Sequence, residues 1–565
     1  MDDSPPVAIV EQVPEAITSP AAGVALIDFG RVAFGNLLVH PPSGFTGEVT
    51  VHLGESTRDG RIDRTPPGSV RYARITVHLE GKPVVVAASP DARNTGHPAA
   101  IRTPPEWGVL LPFRWVEIEG WPGGLTASSI VRRAAFSTTW DEQASAFACS
   151  DPMVNRIWEL CRYSIKATTF AGIYVDGDRE RIPYEADAFI NQMCHYAVDR
   201  DTAMARRTFD FLIEHPTWPT EWASHLIFMA YADWMHTGDR AWLASCFDRL
   251  LPKLLPERTR SDGLIASDEG HIAKGDLVDW PDGERDGFVF TSLNTVVNAF
   301  HLRTLTLMRE MALSIDRPGE ADALAVQHAS ARMAFQHACF DPASGRYRDG
   351  EGTGHASLHA NLFPQAFGLV PEEQRDDIAD WLVQRGMACS VYAAFYLLDG
   401  LFEQERAGDA LALMTAPGDR SWRHMVESGT TITWEAWDQR YKPNQDWNHA
   451  WGAAPAYLLP RHVVGVRPLE PGWKNTLIRP GVGQLAWAEG RVPTPRGTIH
   501  VRWENGAVFR LKLSLPGDMT AWLELPASAE STGVWRDGEV VPARRIGSRW
   551  RVDEAARGEQ VWEVL

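Results

Sequence analysis

The sequence predicts a multidomain α+β protein, with a helical middle flanked by two antiparallel β-sandwich domains. Three observations carry this. Apolar residues alternate with period two up to about Ser137, recur at helical spacing from Ser150 to about Val464, and alternate again beyond Gly465. Taken in order, residues 1–22 are rich in Pro, Ala and acid and are expected to form a loose leader or an edge strand. Residues 23–142 form the first sandwich. Val49, Val51 and Leu53 alternate with Thr50 and His52, and Ala73, Ile75, Val77 and Leu79 alternate with Arg74, Thr76, His78 and Glu80. That pattern suits half-buried antiparallel strands, and Gly and Pro clusters separate them.

Residues 143–464 form the helical domain. Ser150 or Asp151 can cap its first helix and Pro152 suits the first turn, while Val154, Ile157, Trp158, Cys161 and Ile165 line one face. Roughly a dozen candidate helices follow, among them 186–215, 225–237, 241–255, 292–313, 321–339, 372–386 and 388–405. The number fits six helical hairpins, although periodicity alone leaves an (α/α)6 barrel and other helical arrays open. Residues 465–565 return to period two: Ile499, Val501 and Trp503 alternate with His500 and Arg502, and Phe509, Leu511, Leu513 and Leu515 with Arg510, Lys512 and Ser514. A Pro- and Gly-rich linker at 467–472 introduces this second sandwich.

A net charge of −18 argues against nucleic acid or anionic membrane partners, which call for basic patches. The six cysteines are scattered without a Cys-x-x-Cys pair and read as buried thiols of a reducing compartment. No basic and apolar leader and no membrane-length apolar run is visible, so a cytoplasmic location is expected. Tryptophan is the outlier, with 23 residues; indole faces suit the C–H faces of sugars, though most indoles serve the core. No metal and no cofactor is expected. There is no His-Glu-x-x-His, the His355/His359 pair reads as flanking a turn, and no Gly-rich phosphate cradle occurs.

The polar centre of the chain is the loop 174–187, which holds Asp176, Asp178, Glu180, Glu185 and Asp187 together with Arg179 and Arg181. Five acids so close repel one another unless arginines, a cation or a hydroxyl-rich ligand offset them. A salt-bridged surface loop is one reading. A calcium loop is a second, weakened because Arg181 stands where the sharp-turn glycine belongs. The third is a general acid, Glu180, kept protonated by burial and acidic neighbours, with Asp176 and Asp187 accepting sugar hydroxyls.

Asp-x-x-x-Glu-Arg at 176–181, with Tyr184 and Asp187 following, resembles the catalytic loop of bacterial α-L-rhamnosidases, glycoside hydrolase family 78. Trp218-Pro-Thr-Glu-Trp222, Asp279-Trp280, residues 430–438 (TTITWEAWD), Asn448-His-Ala-Trp-Gly452 and Gly465-Val-Arg-Pro468 stand in the family's order, so the resemblance spans most of the chain. The chain departs from many members at Val175-Asp-Gly and Pro183-Tyr184, where they carry Cys-Pro and Gly-Trp. The resemblance selects the (α/α)6 barrel. It implies an inverting glycoside hydrolase releasing terminal α-L-rhamnose, with a carbohydrate as partner.

Glycoside hydrolysis needs an acid that protonates the leaving oxygen and a second carboxylate across the sugar, about 6.5–9.5 Å away in inverting enzymes. The resemblance assigns Glu180 to the first role and Glu435 to the second, with Trp434 and Trp437 as pocket walls. It further implies substrate contacts from Asp176, Arg179, Tyr184, Asp187, Trp222, Asp279, Trp280 and His449. Each has a plainer reading: Glu435 as a helix-end acid between core indoles, His449 and the tryptophans as core, Asp279 as the N-cap of a short turn. Rival functions are a glycosidase of the same barrel acting on another sugar, a polysaccharide lyase and an inactive sugar-binding protein. A lyase needs a Tyr or His base and cations for a uronate, and this loop is acidic.

Overall fold

The computed structural model describes residues 6–565. Of the leader expected over 1–22, residues 1–5 lie outside the described residues, while Val7–Gln12 and Ala16–Ala21 are strands. The fold is that of the six-hairpin glycosidases, with sheet-rich segments before and after a helical middle.

The chain divides into two compact units: residues up to Trp140 with Leu160–Pro183 and Met425–Ala453, and Asp141–Glu159 with Tyr184–His424 and Ala454–Leu565. In the first unit an eight-stranded sheet is organised on the long strand β1 (Val24–Val39), which pairs with β2 (Leu111–Glu119) and β3 (Ile130–Ser137). The register of β1 against β2 shifts between Asp28 and Ala33. There Gly30 sits at φ 75°, and the Asp28 carboxylate accepts the Gly30 N–H at 2.7 Å and both arms of Arg114 at 2.7 Å. Ile27, Leu37, Val49, Val51, Leu53 and Ile118 are buried in the core, each worth about 1.5–3 kcal/mol on burial.

In the second unit the helices alternate in character. Helices α1 (Glu185–Val198), α3 (Ala223–Thr237), α5 (Thr295–Ser314), α7 (Leu358–Ala366) and α9 (Val391–Glu403) bury residues on nearly every side. Helices α2 (Ala203–Glu214), α4 (Arg240–Leu250), α6 (Pro318–Cys339), α8 (Arg375–Arg385) and α10 (Ala407–Met414) bury a single stripe. A helix apolar all round belongs inside and a one-sided helix outside, so each inner helix is followed by an outer one. The segment expected as one helix over 186–215 is two, because Asp199 is extended at φ −140°, ψ 175° and its carboxylate accepts the Asp141 N–H at 3.0 Å. Side-chain oxygens of Asn294, Ser357 and Ser390 cap α5, α7 and α9, each cap contributing about 1 kcal/mol.

The second unit closes with a seven-stranded and a five-stranded sheet. The seven-stranded sheet takes its edge strand, Ala146–Cys149, from the chain ahead of the helices, paired with Trp487–Thr494.

Candidate active site

The loop 176–182 is built to close on itself. Asp176 N–H donates to the Ile182 carbonyl at 3.0 Å and the Asp176 carboxyl accepts the Ile182 N–H at 2.9 Å. Gly177, at φ 142°, is required: a β-carbon there would lie 2.6 Å from Asp446 Oδ2. Arg181, at φ 55°, turns the chain back and directs its guanidinium onto Asp178.

Two arginines settle the repulsion expected around Asp178. It is buried and ion-paired to Arg71 at 2.5 Å and Arg181 at 2.6 Å, and its carbonyl accepts Arg71 Nη2 at 2.6 Å and Asn94 at 2.7 Å. Asp176 is relieved differently. Burial, with Glu180 and Asp446 nearby, pushes its acid well above the carboxylate range against the pull of His449 and Arg179. The expectation that burial falls on Glu180 is therefore corrected. Asp176 is buried, whereas the Glu180 side chain is 35% exposed and meets Arg179 Nε at 3.3 Å.

The segment 433–451 supplies the second carboxylate. Thr433 N–H donates to Ser164 Oγ at 2.8 Å, Trp451 Nε1 to the Glu435 carbonyl at 3.0 Å, and Ala436 N–H to Gln445 Oε1 at 3.0 Å. Glu435 is 2% exposed and is gripped by Arg179 in a fork, Nη1 to Oε2 at 2.5 Å and Nη2 to Oε1 at 2.9 Å, with Lys442 Nζ at 3.4 Å. One guanidinium thus contacts both glutamates. Glu435 and Glu180 stand no further apart than contacts of 2.5 and 3.3 Å plus the width of that group. Burial alone would lower the Arg179 pKa, but the carboxylates of Glu435, Asp446 and Asp176 outweigh it and raise the pKa further.

Asp446 and His449 complete the cluster. His449 Nδ1 lies 3.3 Å from Asp446 Oδ1, and burial of Asp446 is outweighed by His449 and Arg179, which lower its pKa. Glu435, Asp446 and His449 have the oxygen and nitrogen atoms of a metal triad within 4.8 Å of one another. The two cations already on Glu435 make a poor fit to a divalent ion, whose charge they would oppose. Trp434 stacks on Trp447 at 5.0 Å and 18°, and Trp437 is fully buried.

The remaining expected residues belong to the second unit, where Asp187, Trp222 and Asp279 lie about Tyr392. Its acid is pushed up by burial and by Tyr396, Glu221, Asp279 and Asp187. Tyr184 meets the edge of Trp222 at 5.7 Å, and Trp222 lies 6.3 Å from Tyr392. The Trp222 indole N–H is buried and donates to no acceptor among the described residues. Asp279 does not cap a short turn. Fully buried, it accepts Ser390 N–H at 2.9 Å, the Ser390 hydroxyl, and the Trp280 N–H at 2.8 Å, with His359 Nε2 at 2.7 Å. His359, read from spacing as part of a turn-flanking pair, is instead buried on Asp279, while His355 pairs with Asp349 at 2.6 Å.

Sequence reading missed Asp446, Lys442 and the supports Glu55 and Arg71. Asp446 sits two residues ahead of the Asn448-His449 block and was within reach; Glu55 is a lone acid after a strand, 393 residues from the Asn448 it binds.

Known proteins bear on this arrangement. The family model for the bacterial alpha-L-rhamnosidase six-hairpin glycosidase domain matches residues 142–463, and that for the C-terminal domain of the same enzymes matches 465–538. An alpha-L-rhamnosidase of Alteromonas sp. (strain LOR) is 24% identical over 325 residues, covering 54% of this chain and 34% of its own. One of Streptomyces avermitilis is 22% identical over 556 residues, covering 92% of this chain and 50% of its own. The chain thus spans half or less of the length of these curated relatives. Among solved structures, the alpha-L-rhamnosidase from Dictyoglumus thermophilum superposes with a TM-score of 0.80 at 18% identity, over 99% of this chain and 64% of that one. The S. avermitilis alpha-L-rhamnosidase complexed with L-rhamnose gives 0.79 at 19% identity, over 99% and 54%. With the six-hairpin match covering more than half of its residues, the chain belongs to the bacterial alpha-L-rhamnosidase six-hairpin glycosidase family.

Proposed function

We propose that this protein is an inverting glycoside hydrolase that releases terminal α-L-rhamnose. Glu180 protonates the leaving oxygen, and Glu435 deprotonates a water that attacks the anomeric carbon from the opposite face. The observation that carries the reading is the Arg179 guanidinium, which contacts both carboxyls, Glu435 through its two terminal nitrogens and Glu180 through Nε. Partial exposure suits Glu180 to meet an aglycone arriving from solvent, while burial suits Glu435 to a site that must keep one water and exclude others. Membership of the rhamnosidase family and the L-rhamnose in the S. avermitilis relative support the choice of sugar.

The sugar is read as bound by hydroxyl acceptors and indoles. In the first unit His449 is read as a polar ligand and Trp434, with the fully buried Trp437 beside Glu435, as wall; in the second unit Asp187 is read as a polar ligand, Tyr184, Trp222 and Trp280 as apolar surface, and the buried Trp222 N–H as a donor suited to a sugar oxygen. Asp176, Arg179 and Asp279 act on the site through the loops and carboxylates they hold. The division into 23–142, 143–464 and 465–565 is proposed as three domains, with catalysis in the second. Among the described residues, no helix is long and apolar enough to cross a membrane.

Proton NMR of a fresh digest of p-nitrophenyl α-L-rhamnoside tests this. β-L-Rhamnose is expected before mutarotation, and Glu180→Gln is expected to lose about 10²–10⁴ in rate on alkyl rhamnosides while sparing the aryl substrate, whose leaving group needs little protonation. Initial α-L-rhamnose refutes inversion, and an equal loss on both substrates removes Glu180 from the acid role. Silence toward rhamnosides with hydrolysis of another glycoside in a panel transfers the site to a different sugar.

A further inference from the structure

The five-stranded sheet runs in the order Val466–Pro468, Asn475–Ile478, Thr520–Pro526, Arg549–Val552, Ala543–Ile546. Period two buries Thr476, Ile478, Ala521, Leu523 and Val552 on one side. A sheet face open to water is ordinarily polar, yet on the other side Trp522 is 40% and Ile546 46% exposed, and Leu469 beside them 44%. All three line one depression of about 790 Å³.

The polar lining is unusual for this chain. Four guanidiniums, Arg479, Arg544, Arg549 and Arg551, line it in a protein of net charge −18, and the first, third and fourth pair with the carboxylates of Glu405 and Glu524. Each carboxylate is shared. Glu405 bonds Arg479 and, at 2.6 Å, Arg549; Glu524 lies 3.3 Å from Arg479 and 2.5 Å from Arg551. Arg544, 66% exposed, reaches Asp553 at 3.4 Å outside the lining. Glu405, at φ 60°, lies at the C-terminal end of α9, where the Arg406 N–H returns to the Leu401 carbonyl at 2.9 Å. Part-exposed ion pairs of this kind add little stability. What the pairs do is fix guanidinium planes around an open indole with N–H donors to spare.

We propose that this face binds a short stretch of acidic polysaccharide, with a sugar ring laid on Trp522 and uronate carboxylates received by Arg544 and Arg551. Guanidiniums match carboxylates in a planar fork, and an indole offers the flat apolar surface that a sugar's C–H face covers. The size fits a glycan better than a protein. Strands of four residues extend ~13 Å and five strands span ~19 Å, so the face offers about 250 Å², against the ~800 Å² per partner of a stable protein interface. None of these residues belongs to the proposed hydrolytic centre, and the inference stands whether or not the chain cleaves rhamnosides.

Affinity electrophoresis in native gels containing polygalacturonate, with dextran gels as the neutral control, tests it. The wild type is expected to be retarded by polygalacturonate and not by dextran, a direction its own bulk negative charge opposes. Trp522→Ala and Arg544→Glu are each expected to weaken the retardation about ten-fold or more with the melting temperature unchanged. Arg544→Glu, on the most exposed guanidinium, keeps the test valid if Trp522→Ala folds poorly. Absence of retardation, equal retardation by dextran, or retention in Arg544→Glu overturns the proposal. So does a dimer in sedimentation velocity that Arg544→Glu dissolves, which gives the face to a second copy of the chain.

Discussion

Arg179 and Glu435 illustrate how a buried ion pair sets the cost of change at a single residue. Both are largely withdrawn from water, at 12% and 2% side-chain exposure, and each satisfies the other through two hydrogen bonds. Such a pair adds little net stability, but removing one partner strands a desolvated charge at about 3–5 kcal/mol. Arg179→Met is therefore expected to lower the unfolding free energy by that order. Arg179→Met/Glu435→Gln is expected to recover most of it, although neither variant is active. Urea unfolding of the wild type, both single variants and the double variant gives the coupling. An additive result would mean that Lys442, 3.4 Å from Glu435, already satisfies the carboxylate alone. Sequence could show the acids and arginines of the loop but not their pairing. Nothing in the order Asp176 to Asp187 reveals that Asp178 goes to two arginines, that burial pushes the Asp176 acid up, or that Glu180 stays partly in water, because such outcomes depend on residues up to 270 positions away.

The catalytic loop is an element held from outside itself. Asp178 N–H donates to Asn448 Oδ1 at 2.7 Å, Asn448 Nδ2 donates to Glu55 Oε1 at 3.0 Å, and Glu55 Oε2 accepts the Arg71 N–H at 2.6 Å, while the Arg71 side chain returns to Asp178. One strand end of the N-terminal sheet thereby sets the position of the residues on either side of Arg179. Asn448→Ala takes the bonding partner from Glu55 Oε1 and from the buried Asp178 N–H, a loss of about 1–3 kcal/mol that falls on the loop's geometry. kcat on aryl rhamnosides is expected to fall about ten- to a hundred-fold with KM little changed, since small misplacements of reacting groups are costly. A loss confined to KM would make Asn448 a substrate ligand instead. Periodicity made the helices readable, since inner and outer helices differ in which faces are apolar. It hid the break at Asp199, a cap made by tertiary contact, and the strand 146–149, too short for alternation to register. The choice of barrel came from motif order rather than from period.

For the whole molecule, stability against pH is a contest between buried groups that each stay neutral. Burial holds His225 and His236 at about 3 and His301 at about 4, far below the usual 6.5. The unfolded chain takes up these three protons below pH 6.5 and the folded chain does not, so stability rises with pH from about 4 to 6.5. The carboxyls act in the opposite sense. Glu55 and Glu284 are pushed up to about 8 by burial, against a usual 4.5. Between those values the folded chain keeps protons that the unfolded chain has released, so stability falls as pH rises from 4.5 to about 8, and Asp176 adds to the same limb. From 4.5 to 6.5 the two sets oppose each other, and above 6.5 only the carboxyls titrate, so stability falls from pH 6.5 to about 8. Glu55→Gln removes one proton from the alkaline limb and is expected to reduce its slope by about 1.4 kcal/mol per pH unit. Glu284→Gln, in the other compact unit, is expected to do the same independently. Urea unfolding at intervals from pH 5 to 9 reads the slopes; an alkaline limb unchanged in both variants would show that Glu55 and Glu284 ionise in the folded protein with water or a counter-charge beside them.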